Sequence, residues 1–448
     1  MLSTSFRRRE RKLLVVSLDG TLAGSFRSSQ ETVISVLPKL ICKRRNNVVS
    51  IGFHGVGSDI SPSDRFLGGL CGWGTQRNVI TAYKRIAEEY EPGDKIILSG
   101  YSRGAWAARY LALIISVVGL PEQGGDNEFF HLLYKECDKN PNFDLPVTRK
   151  LLTYDCYTNV TIEALCCFDT VGSLGLPLFG IAKPLALLRR GQRKEDMVSS
   201  VARNVKHAFH CLALHETREP FFPTYMSGRN VHQVFFVGNH GHLGWIGSQE
   251  SFVHAALAWM IQQLHSHTGI DFDDDMLKRY FQSYRCNGVK DPNSRHPWLT
   301  DRIVPRSAVG LALLGEKARK PWKVPYTSAD VQVHIGARLF NGSDPVPGYT
   351  LKLPTEGRHY WERQGCTQQP QQGRRFYQQE GESSMTERGS IESSVRFRTA
   401  NGQGDSTHRI YEAPVGRLEA KLLGLPYQGH WWGRLGARSS SGNLLSVS

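Results

Sequence analysis

A doubly wound α/β domain on a mostly parallel sheet is the fold that the sequence predicts. Three observations lead to it. Short apolar runs recur without polar alternation, as strands buried on both faces require. Helical stretches of 3.6 periodicity lie between them. Nearly every run stops at Asp, Ser, His or Gly, and such polar strand ends form the sites of open α/β sheets.

The elements follow in order. "KLLVVSLDGT" (Lys12–Thr21) is a strand that ends in an Asp-Gly turn. "NNVVSIGFHGVGS" (Asn46–Ser58) repeats that form and runs into a glycine-rich loop. "NVITAYKRIAEEY" (Asn78–Tyr90) is helical, with Ile80, Tyr83, Ile86, Ala87 and Tyr90 on one face and Pro92-Gly93 as its stop. "KIILSG" is the next strand, and "RGAWAARYLALIISVVGL" is a helix apolar on most sides. "IEALCCFDTVGSLG" (Ile162–Gly175) is a strand with Asp169 at its end, and its adjacent cysteines, Cys166 and Cys167, read as core. "HQVFFVGNHGHLGW" (His232–Trp245) is a strand entering a Gly/His loop, and "FVHAALAWMIQQLHSHTG" (Phe252–Gly269) is a helix. The α/β domain is assigned to 12–345, behind a basic segment at 1–11. From about Pro354 the chain turns rich in Gln, Gly, Ser and charge, the composition of a largely disordered tail over 355–448. Within it "EAPVGRLEAKLLG" (Glu412–Gly424) reads as a short amphipathic helix that docks on the domain or on a partner.

Charge and cysteines narrow the function class. A net charge of +14 favours anionic partners, such as a phosphate-bearing substrate or an acidic membrane surface. The nine cysteines contain no CxxC pair, which argues against a disulfide framework or zinc site and fits a reducing, cytoplasmic compartment. No long apolar h-region precedes the first strand, and the longest apolar run is too short for a membrane span. Nucleic-acid binding has only the charge in its favour, so it is not expected. "SLDGT" is no aspartyl phosphatase loop, since Ser17 stands where that chemistry needs a nucleophilic Asp.

The chemistry centres on Gly100-Tyr101-Ser102-Arg103-Gly104, a G-x-S-x-G pentapeptide between a strand and a helix. Gly100 and Gly104 allow a tight turn, and the helix start puts free N–H groups and positive dipole beside the Ser102 oxygen. The Arg103 N–H is one candidate oxyanion donor. The loop Asp19-Gly20-Thr21, after the first strand, is the candidate source of the second. A serine nucleophile needs a base, and the base needs an orienting acid. In the α/β-hydrolase order of Ser, acid, His, the best strand-end acid after Ser102 is Asp169, and the best loop histidine after that is His240. His242 competes at two residues' distance; strand-like alternation lets only one reach Ser102, and the first is assigned. His207, His210 and His215 read as packing or supporting residues. "HGVGS" (His54–Ser58) either lines the site or only turns the chain.

These segments occur together in the order of one family. "LVVSLDGT", "FHGVGS", "AYKRIAEEYEPGDKIILSGYSRGAWAARYLA", "CCFDTVGSLGLP", "VKHAFHCLALHETREPFFPT", "QVFFVGNHGHLGW" and "ALAWMI" cover roughly 12–270. The chain resembles the bacterial type VI secretion phospholipase effectors and their fungal relatives. The resemblance implies an α/β-hydrolase-type sheet with helical lid insertions, a carboxyl-ester hydrolase acting on lipids or phospholipids, and a triad of Ser102, Asp169 and His240. It implies no cofactor and no metal. His215 and His242 depart from the pattern, for both stand where the family carries an acid. "GLPLFGIAKPLALLRRGQRK" (Gly175–Lys194), apolar and then basic, is a candidate lid or an ordinary covered helix. Peripheral contact with an anionic membrane surface is expected. The competing reading is a catalytically degenerate interaction protein on the same fold.

Overall fold

The computed structural model describes residues 10–20, 31–53, 73–140, 143, 147, 151–172, 198–216, 221–246, 252–288, 330–339, 346, 349–352, 358–363 and 409–425. Thr21, the His54–Ser58 loop, the segment Gly175–Lys194 and most of the basic and Gln-rich ends lie outside them.

Seven strands form the central sheet: β1 (Leu13–Leu18), β2 (Val48–Phe53), β3 (Lys95–Tyr101), β4 (Ile162–Phe168), β5 (Val205–Ala213), β6 (Val231–Phe236) and β7 (Val331–Val333). Their order across the sheet is β7-β6-β5-β4-β3-β1-β2, with every neighbouring pair parallel. The chain leaves β1 toward β2 on one side and returns as β3 on the other. The carboxyl ends of β1 and β3 therefore flank a topological switch point, the place where open α/β sheets bind their ligands.

The period of two along each strand sends alternate side chains to opposite layers. On β1, Leu14, Val16 and Leu18 join a core with α2 (Trp73–Glu89), α3 (Arg103–Val118) and α4 (Asn127–Lys139). Leu13 and Val15 point the other way, into a core with α1 (Val33–Leu40), α6 (Phe252–Thr268) and α7 (Asp274–Gly288). Cys166 and Cys167 are fully buried on β4, one in each layer. The Gly/His loop read after β6 is a short helix, α5 (His240–Gly244). Its cause is Asn239, whose side chain caps it by accepting from the His242 N–H. Among the described residues no helix is long and apolar enough to cross a membrane.

The last described segment folds back on the domain. Arg409–Tyr411 closes a three-stranded antiparallel sheet with Tyr349–Lys352 and Tyr360–Arg363. The helix expected near the end is α8 (Arg417–Leu423), and Gln262 of α6 accepts from the Leu418 and Glu419 N–H groups at its start. Glu419 is fully buried and takes a 2.8 Å hydrogen bond from His334, just past β7.

Candidate active site

The site grows from the end of β3. Ser102 has φ 59° and ψ −123°, a backbone region that strains any residue with a side chain. The two glycines make that turn feasible. A Cβ on Gly104 would lie 2.0 Å from the Leu18 carbonyl oxygen, and one on Gly100 would lie 2.4 Å from that of Gly104. The turn is thus wedged between the end of β1 and the first turn of α3. The Ser102 N–H donates to the Phe168 carbonyl at 2.9 Å, and the Ser102 carbonyl accepts from Val171 at 3.4 Å. Those bonds tie the serine to the loop that carries Asp169.

Asp169 also has a left-handed backbone, at φ 46°. Its N–H donates to Cys211, and its Oδ1 accepts the Ala213 N–H at 2.9 Å. The other carboxylate oxygen, Oδ2, faces His240 Nδ1 at 2.6 Å. His240 Nε2 stands 2.9 Å from Ser102 Oγ. Asp169 is fully buried, and Ser102 and His240 are only 6% and 5% exposed. The structure therefore brings Ser102, His240 and Asp169 into one hydrogen-bonded line. His242 is turned away, because two residues on a helix are separated by about 200°; helix geometry, not strand alternation, separates the two rings.

The remaining expected residues divide. Arg103 is the first residue of α3, so its N–H has no intrahelical acceptor and lies beside Ser102. Burial pulls the Arg103 guanidinium down to about 10, still cationic at neutral pH. The Gly20 N–H, read as an oxyanion donor, donates in this structure to Asp19 Oδ1 at 2.7 Å. Asp19 Oδ2 in turn accepts from Thr32, the N-cap of α1, which pins the loop after β1. His210 is fully buried under the acid turn, where its Nε2 accepts the Thr170 N–H.

Four residues around His240 escaped the sequence reading. The Tyr101 ring stacks on the His240 ring with centroids 5.0 Å apart, and its hydroxyl donates to the His240 carbonyl at 3.0 Å. Glycines make room for it: a Cβ on Gly244 would sit 2.1 Å from the Tyr101 ring, and one on Gly20 2.7 Å. A large aromatic inside G-x-S-x-G, with glycines placed against it, was the signal available. Phe221 covers another side of His240 at 4.8 Å. Glu216 Oε2 accepts the His240 N–H at 3.1 Å, and Asn239 caps the short helix. Beyond Phe221, Phe222 is 40% exposed; the bridge of Pro223 to Val171 fixes this pair beside the acid turn. Arg109 of α3, fully buried, secures the same loop by donating to the carbonyls of Val198, Thr224 and Tyr225.

Residues 12–263 match the family model described as the type VI secretion system phospholipase effector Tle1-like catalytic domain. The match takes in more than half of the chain. The protein belongs to this family. It is also similar to Uncharacterized protein YEL023C of Saccharomyces cerevisiae, 28% identical over 197 residues, with 40% of this chain and 26% of that protein covered. Among solved structures it is similar to the Tle1 effector bound to the VgrG spike, at 16% identity and TM-score 0.34, covering 53% of this chain and 51% of that one. A second is an uncharacterized protein from Pseudomonas aeruginosa, at 13% identity and TM-score 0.38, covering 62% and 50%. The chain thus spans 26% of the yeast protein and about half of either solved chain.

Proposed function

We propose that the protein is a serine hydrolase that cleaves carboxyl esters, with lipids or phospholipids as its substrate class. The observation that carries this reading is the Ser102–His240–Asp169 line at a strained strand-to-helix turn, 2.9 Å and 2.6 Å between successive partners. Ser102 Oγ attacks the ester carbonyl carbon while His240 Nε2 takes its proton. Asp169 holds the Nδ1–H of His240 and stabilises the imidazolium that forms. The oxyanion of the tetrahedral intermediate faces the Arg103 N–H and the positive end of α3. Collapse breaks the C–O bond, and His240 returns the proton to the leaving alcohol. Water then repeats both steps on the acyl-Ser102 ester.

Membership in a phospholipase family supports a lipid ester. So does the apolar edge of the site, where Phe221 covers the base and Phe222 projects outward. The +14 charge of the chain favours contact with an anionic lipid surface. Turnover of p-nitrophenyl esters and phospholipid vesicles by wild type and Ser102→Ala tests the proposal. Wild-type hydrolysis that falls by about 10³-fold or more in the variant supports it. Hydrolysis that persists in Ser102→Ala places the nucleophile elsewhere.

A further inference from the structure

The turns that deliver Asp169 and His240 both hang on histidine rings. Thr170, next to Asp169, donates its N–H to His210 Nε2 at 3.1 Å. Gly238 donates to His215 Nδ1 at 3.1 Å, and Asn239 to His242 Nδ1 at 3.2 Å. The two residues before His240 therefore each rest on a separate ring. A backbone N–H can only donate, so each of these ring nitrogens is the unprotonated one. An imidazolium has no acceptor, so all three rings are neutral.

The tautomers follow from that. His210 carries its proton on Nδ1, where it meets Gln233 Oε1 at 3.2 Å. Gln233 is fixed in its turn by the Met226 N–H and carbonyl. His215 and His242 carry theirs on Nε2. The surroundings favour neutrality at His242, which is only 6% exposed. Burial, with His215 alongside, holds His242 down to about 4 against the opposing pull of Glu216.

We propose that His210, His215 and His242 are positioning residues: each acts through one backbone N–H, and together they set the acid and base turns so that Asp169 and His240 align on Ser102. The proposal rests on the serine-hydrolase reading and gives these rings a part in it. His215 returns a second bond, its own N–H donating to the Gly238 carbonyl at 2.9 Å, so that turn is gripped from both sides. Asn239 reciprocates with His242 by accepting its N–H at 3.2 Å. The geometry matters because a misplacement of about 1 Å in a reacting group can cost about 10²-fold in rate.

Side-chain amides test this, since Asn carries an oxygen near the place of Nδ1 and Gln near that of Nε2. His215→Asn, His242→Asn and His210→Gln keep the acceptor. The Leu variants at the same positions remove it and leave a buried N–H unpaired. Each Leu variant is expected to lose about 10- to 100-fold in kcat with KM within about twofold, and each amide variant to recover to within about fivefold of wild type. Amide hydrogen exchange should quicken at Thr170, Gly238 or Asn239 only in the Leu variant that removes its acceptor. Where a Leu variant does not fold, His215→Gln, His242→Gln or His210→Asn, which displace the acceptor, takes its place with the same expectation. Folded Leu variants with wild-type kcat and unchanged exchange would overturn the proposal, as would amide variants that fall as far as Leu. If wild type hydrolyses no ester while the exchange pattern holds, the hydrolase reading falls and the support of the two turns stands.

Discussion

At the Ser102 turn, two missing side chains let backbone touch backbone; at the His240 turn, three side chains reach back to hold the main chain. Gly100 and Gly104 leave gaps into which a single methyl would not fit. His215, His242 and Asn239 instead bond to the main chain of Gly238, Asn239 and His242. A turn made by exclusion leaves a fixed pattern of glycines. A turn made by side-chain caps can be built from several residue types and leaves no fixed pattern.

The largest effect should come from filling the gap at the serine turn. Gly104→Ala places a methyl against the carbonyls of Leu18 and Asp19, which cannot retreat without opening the sheet. We expect about 4 kcal/mol or more of destabilisation in chemical denaturation. A variant as stable as wild type would mean that the turn is not wedged as described.

The C-terminal clasp sharpens the contrast from another side. His334 and Glu419 are buried and hydrogen-bonded far along the chain from the triad, and they hold α8 to the domain. Glu419→Ala should cost about 2 kcal/mol in stability through the buried group it leaves behind. Its kcat should stay within about twofold of wild type, because the hydrogen bonds that hold α8 run to His334 and Gln262 rather than to the triad. A large loss of kcat in the folded variant would make the clasp part of the site.

The smallest effect concerns the other end of the strands. His207 and His232 lie there, packed on Phe209 and near His267, with ring contacts in place of the backbone bonds that hold His210 and His242. Burial first, and the neighbouring histidines second, lower both rings from 6.5, while Glu163 opposes the shift at His207. The folded state then binds fewer protons than the unfolded state just below pH 6.5. Stability present above that pH declines as pH falls through the window beneath it. His232 keeps much of its surface in water, so its desolvation is partial and screening keeps its share small. His232→Phe should make the melting temperature less sensitive to pH between 6.5 and 5, by about 2 °C. An unchanged pH dependence would remove His232 from that account.

The same contrast explains how much of the molecule was legible. Strands buried on both faces announce themselves as unbroken apolar runs, so the parallel sheet and the polar ends of its strands could be read. Ser102, Asp169 and His240 stand at strand ends, where topology gathers residues remote in the chain. Glu216, Phe221 and Asn239 escaped because each acts through a contact of its own with His240 or its turn, and no spacing encodes such contacts; Tyr101 left only the trace of a large aromatic inside G-x-S-x-G. His242 was weighed as a rival base. The capped helix gives it a different place, facing away from Ser102 with its Nδ1 on the Asn239 N–H. The Gly20 N–H, turned onto Asp19, depends on a side-chain rotamer that no motif records.

The central claim is that His240 activates Ser102. A fluorophosphonate probe followed by intact-mass measurement tests it most directly, since it needs no knowledge of the natural ester. The account predicts one adduct per wild-type chain, mapped to Ser102, absent in Ser102→Ala and formed at least about 100-fold more slowly in His240→Asn. Folded wild type that takes up no probe, or an adduct that survives in Ser102→Ala, would contradict it.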